Sequence, residues 1–388
     1  MQVMPKPPGQ QAPRDSAEVV TPLLAASLLS AVGSLPLHLA PLIVATLIAD
    51  SRSSVAAAGW VPSIMLLGQL STAVALPALR MHHVRRVPAI VAVVILLIGL
   101  GISSSHGFSG ILLGWFLAGQ CCGVLMYLGA LAASQFSRRT LAFSLRLAII
   151  LVLAGAVSAL LQATNAFTSY QDLLGRLVLI LVPIIACGIV LYRPAGEGRA
   201  TIGNRNGSTW TAGHFSGLAT MFFFFVGLTG FLAYVVQQAL VRGIGFDDTV
   251  WSLVMMKFAA GIWLLGAVLL DFQKPQSDRL LNYSIALIFA ILVVSQSRNV
   301  IVFFSGLLIF EIAFNNLSAR LQAAVVAARP QFADRWLTGV ILLGAAVGPP
   351  LNGLAISLGL DNVFVLISVL SALGPVLWQQ LGGSGAGH

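Results

Sequence analysis

The sequence predicts an all-α integral membrane protein with twelve transmembrane helices in two six-helix bundles, and three observations carry that reading. Of 388 residues, 58% are hydrophobic and 9% charged, against about 25% charged in an ordinary soluble domain. Apolar runs of about 20 residues, the length that crosses ~30 Å of hydrocarbon, recur from end to end. The basic residues gather on one side of those runs.

In chain order the runs lie near 19–48, 54–79, 87–104, 108–134, 140–162, 173–192, 214–240, 249–270, 280–296, 299–322, 334–358 and 361–380. Residues 1–18, rich in Pro and Gln, and the Gly-rich tail 381–388 offer too little apolar surface to order and are expected to be flexible. Lys6 and Arg14 precede the first run as in a secretory signal. The run continues to Ile48 without a small-residue cleavage site, so it reads as a retained helix.

With the N-terminus inside, 15 of the 21 Lys and Arg fall on the cytoplasmic side, among them Arg80, Arg85, Arg86, Arg138, Arg199, Arg205 and Lys274. Arg52, Arg176, Arg242 and Arg298 fall on the other side, and Arg146 and Lys257 within spans. This is the positive-inside asymmetry, and with an even number of spans it predicts a multi-pass inner (plasma) membrane protein with both termini cytoplasmic. The net charge of +9 is then an orientation signal and implies no nucleic-acid partner. Cys121, Cys122 and Cys187 all lie in spans and read as small buried apolar residues rather than a disulfide framework.

The longest polar stretch, residues 193–213, contains Gly196, Gly198, Gly203 and Gly207 and separates six spans from six. It predicts a central cytoplasmic loop between an N-terminal bundle, 19–192, and a C-terminal bundle, 214–380. Shifting the first half by about 196 positions lays its first five spans over spans 7 to 11, for example Gly110 on Gly306 and Leu112 on Leu308. Such a hydropathy repeat is expected of a transporter whose halves rock about a central site.

This layout resembles the major facilitator superfamily across essentially the whole chain, closest to short bacterial twelve-helix members that exchange drugs or metabolites with protons. The loop Leu79-Arg80-Met81-His82-His83-Val84-Arg85-Arg86 is similar to the family's gating loop G-x-L-x-D-R-x-G-R-R at Leu79, Arg85 and Arg86, and lacks its Asp and both Gly. In span 4, Gly119 matches the family's R-x-x-x-G, but Trp115 stands in place of the Arg. The repeat-equivalent position in span 10 is Glu311. Span 11 carries Gly344, Gly348, Pro349, Pro350 and Gly353, similar to the helix bend that antiporters carry in span 5, where this chain has no Pro.

The resemblance implies that spans 1, 4, 7 and 10 line a central cavity, and the polar residues on them are the candidates for substrate or proton binding. Glu311 lies in an uncharged run from Asn299 to Ala319. A charge at that depth costs roughly 2.5 to 3.5 kcal/mol on insertion scales, so it marks either a functional site or a structural pair with a basic residue. Asn315 follows four positions on, hence on the same face, placed to bond the carboxylate or a ligand. Asn316 points elsewhere, toward another helix. Lys257 in span 8 is either the counter-charge or a cation snorkelling to the interface; Arg146 has the same alternatives of headgroups or the inner gate.

His38 is bracketed by Pro36 and Pro41, each of which removes a backbone donor and bends the helix. Its ordinary titration near neutrality makes it a candidate proton carrier, the alternative being a packed histidine. Gln120, Tyr234, Gln237 and Gln238 supply neutral hydrogen-bonding groups that serve a substrate or a neighbouring helix equally well. Trp115 and Phe222 to Phe225 offer an aromatic wall, of which at most one or two consecutive Phe can face a cavity; the alternative for most of them is a lipid-facing or packing role. No phosphate loop, zinc spacing or Ser-His-acid motif is present, which argues against an enzyme, and no cofactor or metal is implied. The expectation is a monomeric secondary transporter in the bilayer. It takes a small solute and couples it to protons, exporting an amphipathic or cationic compound or importing a metabolite; a non-transporting receptor or assembly factor of the same fold is the rival.

Overall fold

The computed structural model describes residues 16–50, 52–78, 86–104, 107–134, 139–191, 212–269, 279–328 and 333–381. The expected N-terminal segment before Ser16, the central loop and the Gly-rich tail lie outside them, as does Arg85; Arg86 opens a helix, but its side chain is also outside.

The first half contains α1 (Ser16–Ala49), α2 (Val55–Ala58), α3 (Trp60–Ala78), α4 (Arg86–Ser103), α5 (Phe108–Ser134), α6 (Arg139–Ala163) and α7 (Tyr170–Leu191). The second contains α8 (Ala212–Ala233), α9 (Val235–Val241), α10 (Phe246–Leu269), α11 (Arg279–Gln296), α12 (Val300–Ala328), α13 (Ala333–Ser357) and α14 (Asp361–Leu381). Because α2 leads directly into α3 and α8 into α9, these form six spans on either side of residues 192–211. Ten described helices are long and apolar enough to cross a membrane, and Ala89–Ser103 and Leu280–Gln296 are shorter apolar helices at the third and ninth positions. The fold is an all-α membrane fold.

Large apolar side chains such as Leu179, Val190, Phe223, Ile262 and Ile301 are exposed on its outside. In a bilayer these face lipid, and the buried core is reserved for contacts between helices. Cys187 is on this exposed surface, whereas Cys121 and Cys122 are buried as expected.

Small residues set the closest approaches. A Cβ at Gly119 of α5 would strike the carbonyl of Met65 in α3, so only glycine allows these two helices to pack at that distance. Gly348 does the same for α13 against Val226 and Thr229 of α8, and Thr229 Oγ1 donates to Ala345 O at 3.1 Å across that seam. The helix α13 continues through Pro349 and Pro350, and α1 through Pro36 and Pro41.

The halves meet along two seams, α2 and α3 against α13, and α6 against α10. In span numbers these are 2 with 11 and 5 with 8, which interchange when six is added to one half and subtracted from the other. The seams therefore obey the pseudo-twofold relation that the hydropathy repeat suggests. On the face opposite the chain termini, Tyr234 Oη donates to Val55 O at 2.7 Å and Gln162 Nε2 to Asp247 Oδ1 at 2.8 Å, so each seam carries a hydrogen bond between halves there.

Candidate transport site

Lys257 on α10 and Glu311 on α12 form a buried ion pair, Nζ to Oε1 2.7 Å, with side chains 5% and 2% exposed. Lys257 therefore does not snorkel. Lys257 follows Phe246, the first residue of α10, by eleven positions, and Glu311 follows Val300, the first of α12, by eleven. At 1.5 Å per residue both lie about 16 Å below the face opposite the termini, near the middle of ~30 Å of hydrocarbon. Equal depth on adjacent helices is what lets a four-carbon ammonium meet a carboxylate head-on.

The second carboxylate oxygen, Glu311 Oε2, is buried without a hydrogen-bond partner among the described residues. An ionised carboxylate accepts at both oxygens, and leaving one bare in a dry interior is costly.

His38 precedes Ala49, the last residue of α1, by eleven positions and so sits at the same depth, in the other half. It is half-buried. Three titratable groups from α1, α10 and α12 thus share one level of the bundle.

Aromatic rings continue the site along α12. Phe314 stacks on Phe224 (centroids 5.7 Å) and Phe310 (6.0 Å) and meets Phe225 edge-on at 5.8 Å. Phe231 extends the ladder to Phe364 at 5.5 Å. Phe223 points outward and is 60% exposed, in keeping with the limit on four consecutive Phe.

Other sequence candidates are placed differently. Asn315 Nδ2 donates to the backbone carbonyl of Glu311 at 2.8 Å, and not to its carboxylate, because a short amide one turn on reaches back to its own helix. Asn316 makes the same bond to Ile312 O and not to a neighbouring helix. Trp115 is fully buried and its Nε1 donates to Tyr170 Oη at 2.7 Å, where Ser103 Oγ also bonds. It is a packing residue joining α4, α5 and α7, not a cavity wall. Gln120 reaches Ser71 Oγ at 3.4 Å and its carbonyl accepts from Thr72, so it serves the seam between α3 and α5. Tyr234 is fully buried, its hydroxyl committed to Val55 across the halves. Gln237 is half-buried next to it, and Gln238 is buried. The bend residues Gly348 and Pro349 lie at the seams, with Pro349 O against Gly59.

Arg146 was expected at headgroups or the inner gate. Its Nε donates to Ser30 Oγ of α1 at 2.6 Å and Nη2 to Met126 O of α5 at 3.4 Å, so it points between helices and does not snorkel.

The helix order, the two symmetric seams and the mid-depth charges define a major facilitator fold. The solved structures agree. A bacterial homolog of the human lysosomal transporter Spinster, in an inward-facing and occupied conformation, superposes with a TM-score of 0.62 at 15% identity, over 94% of this chain and 97% of the other. The human organic anion transporter MFSD10 (TETRAN) gives 0.60 at 15% identity, over 95% and 100%. The D-xylose-proton symporter gives 0.70 at 15% identity, over 93% and 97%. No protein-family model matches the sequence, and no curated protein matches it significantly. At this identity the likeness establishes the fold.

Proposed function

We propose that the protein is a secondary active transporter that exports a small drug-like solute or secondary metabolite in exchange for protons. The observation that carries this reading is the buried Lys257–Glu311 pair at mid-depth, with Glu311 Oε2 unpartnered. The similarity to three transporters, one of them a proton symporter, supports the class.

In the proposed cycle the unprotonated site holds Glu311 against Lys257. A proton arriving at Oε2 neutralises the carboxylate, loosens the pair and frees the ammonium. His38, at the same depth on α1, carries the proton between the halves. Proton and solute compete because each stabilises a different arrangement of α10 and α12 against α1. Such competition moves the equilibrium between the outward-open and inward-open states only through differential affinity. The termini lie on the cytoplasmic side, the seams bonded by Tyr234 and Gln162 close the periplasmic side, and the chain works as a monomer.

The test is proton flux in proteoliposomes carrying an internal pH-sensitive dye. A panel of amphipathic drugs, organic acids, amino acids and sugars is added to wild type and to Glu311→Gln. A solute that drives flux in wild type and none in Glu311→Gln, while still exchanging downhill in both, is expected. Undiminished solute-driven flux in Glu311→Gln removes Glu311 from the coupling role. Everted vesicles fix direction: export appears there as solute accumulation under an imposed inward-acid gradient.

A further inference from the structure

The mechanism above does not use Arg146, a cation inside a span for which no carboxylate partner is found among the described residues. It begins seven positions into α6 from Arg139, about 10 Å from that helix end. Its environment is polar but neutral: a serine hydroxyl and a main-chain carbonyl.

A guanidinium has five N–H donors in a rigid fork. In Arg146 the Nε–H is held by Ser30, which is fully buried, and one Nη2–H by Met126 O. That leaves both hydrogens of Nη1 and the second of Nη2. Arg146 is half-buried rather than sealed in packing, and Nη1 has no hydrogen-bond partner among the described residues. The two bonds that are made fix the plane of the fork from the α1 and α5 sides. Its terminal edge, the Nη1–Nη2 edge that grips a carboxylate, sulfonate or phosphate through two parallel bonds, is the part left over.

Burying an uncompensated guanidinium in a bilayer is costly unless something offsets it. A structural pin between three helices makes no use of the positive charge. The charge itself points to an anionic partner that comes and goes.

We infer that Arg146 is the anion-recognition residue of the solute site, and that the solute is an organic anion whose carboxylate, sulfonate or phosphate group sits on the Nη1–Nη2 edge. This rests on the transporter reading but not on proton coupling at Glu311. It replaces the sequence expectation of a cationic solute, because the acid that suggested one is neutralised within the protein.

The experiment uses the purified full chain at fixed pH with no gradient, so that failure of proton coupling cannot affect it. Binding of 2-naphthalenesulfonate, 2-naphthoate and the matched cation 2-naphthylmethylammonium is measured by thermal shift and by calorimetry. Wild type should bind both anions and not the cation. Arg146→Gln should weaken the anions at least tenfold, and Arg146→Lys, which keeps the charge and loses the fork, should keep the preference for anions at lower affinity. Ser30→Ala serves as the control for a purely structural role, and should change affinity less than Arg146→Gln. Equal anion binding in Arg146→Gln overturns the inference, as does a preference for the cation or absence of any anion effect in wild type. A parallel titration with phosphatidylglycerol separates the two sources of an anionic group. If it alone gives an Arg146-dependent shift, the site holds a lipid headgroup and the solute assignment falls. Should Arg146→Gln not fold, Arg146→Lys and the wild-type anion–cation comparison still decide.

Discussion

Removing one partner of the Lys257–Glu311 pair is the sharpest perturbation of the site. At 2.7 Å the gross attraction is about 6 kcal/mol at an effective dielectric constant of 20. Much of that is offset by the desolvation of both ions, so the pair adds little net stability. Losing only Lys257, as in Lys257→Met, instead strands a carboxylate that is 2% exposed and has no other side-chain partner among the described residues, at a cost of about 3–5 kcal/mol. Glu311→Gln strands an ammonium in the same way. The double variant Lys257→Met/Glu311→Gln strands neither, and should recover most of the loss. Denaturant unfolding of the four proteins in one detergent gives the coupling energy directly. The expected value is about 3 kcal/mol or more, and additivity of the two single substitutions within about 0.5 kcal/mol would refute the pair as an energetic unit. Solute-driven proton flux on the same four proteins separates stability from coupling. The double variant should be stable and uncoupled, which no purely structural pair would give.

Tyr234→Phe deletes the hydroxyl bond to Val55 O that ties α9 to α2, worth about 1 kcal/mol. It should raise labelling of a cysteine placed at Gln237 roughly fivefold by shifting the population toward the state open on that face; unchanged labelling would remove Tyr234 from the gate. Gly353→Val should abolish transport while the protein still folds, because a Cβ there meets Tyr234 Oη and lies 3.1 Å from Val55 O; liposome flux and size-exclusion profiles check both halves of that statement. Trp115→Phe removes the indole donor to Tyr170, and should cost about 1–2 kcal/mol in unfolding while leaving solute affinity unchanged. A selective loss of affinity would return Trp115 to the cavity.

Fold class was legible because lipid imposes it. Every backbone polar group must be satisfied within a span, so length and hydropathy alone mark the helices. Glu311 stood out for the same reason: a carboxylate among Phe310, Ile312 and Phe314 marks either a functional site or a structural ion pair. What could not be read was which side chain on another helix it meets. That depends on the rotation of α10, and nothing local to Lys257 sets it. The equal eleven-position offsets of His38, Lys257 and Glu311 are present in the sequence, but they become visible only when the helix ends are known. The partners of Asn315 and Trp115 were not legible for a different reason: one satisfies its own backbone and the other a tyrosine 55 positions along, which neither helix face nor residue type reveals.

The charge arrangement links recognition to coupling. If the anionic group of the solute occupies Arg146 in one half while Glu311 gives up Lys257 to a proton in the other, each half holds one positive side chain whose partner is exchangeable. Arg146 is bound to α1 through Ser30, and His38 lies eight residues further along that helix, about 12 Å, at the level of Lys257. Helix α1 is therefore the physical element common to both sites. A small rotation of α1 moves the anchor of the fork and the environment of the ammonium together. Solute at Arg146 and a proton at Glu311 can then exclude each other without touching. Ser30→Ala separates this route from simple competition: it should leave the anion preference intact while reducing the proton flux that a given occupancy of solute produces.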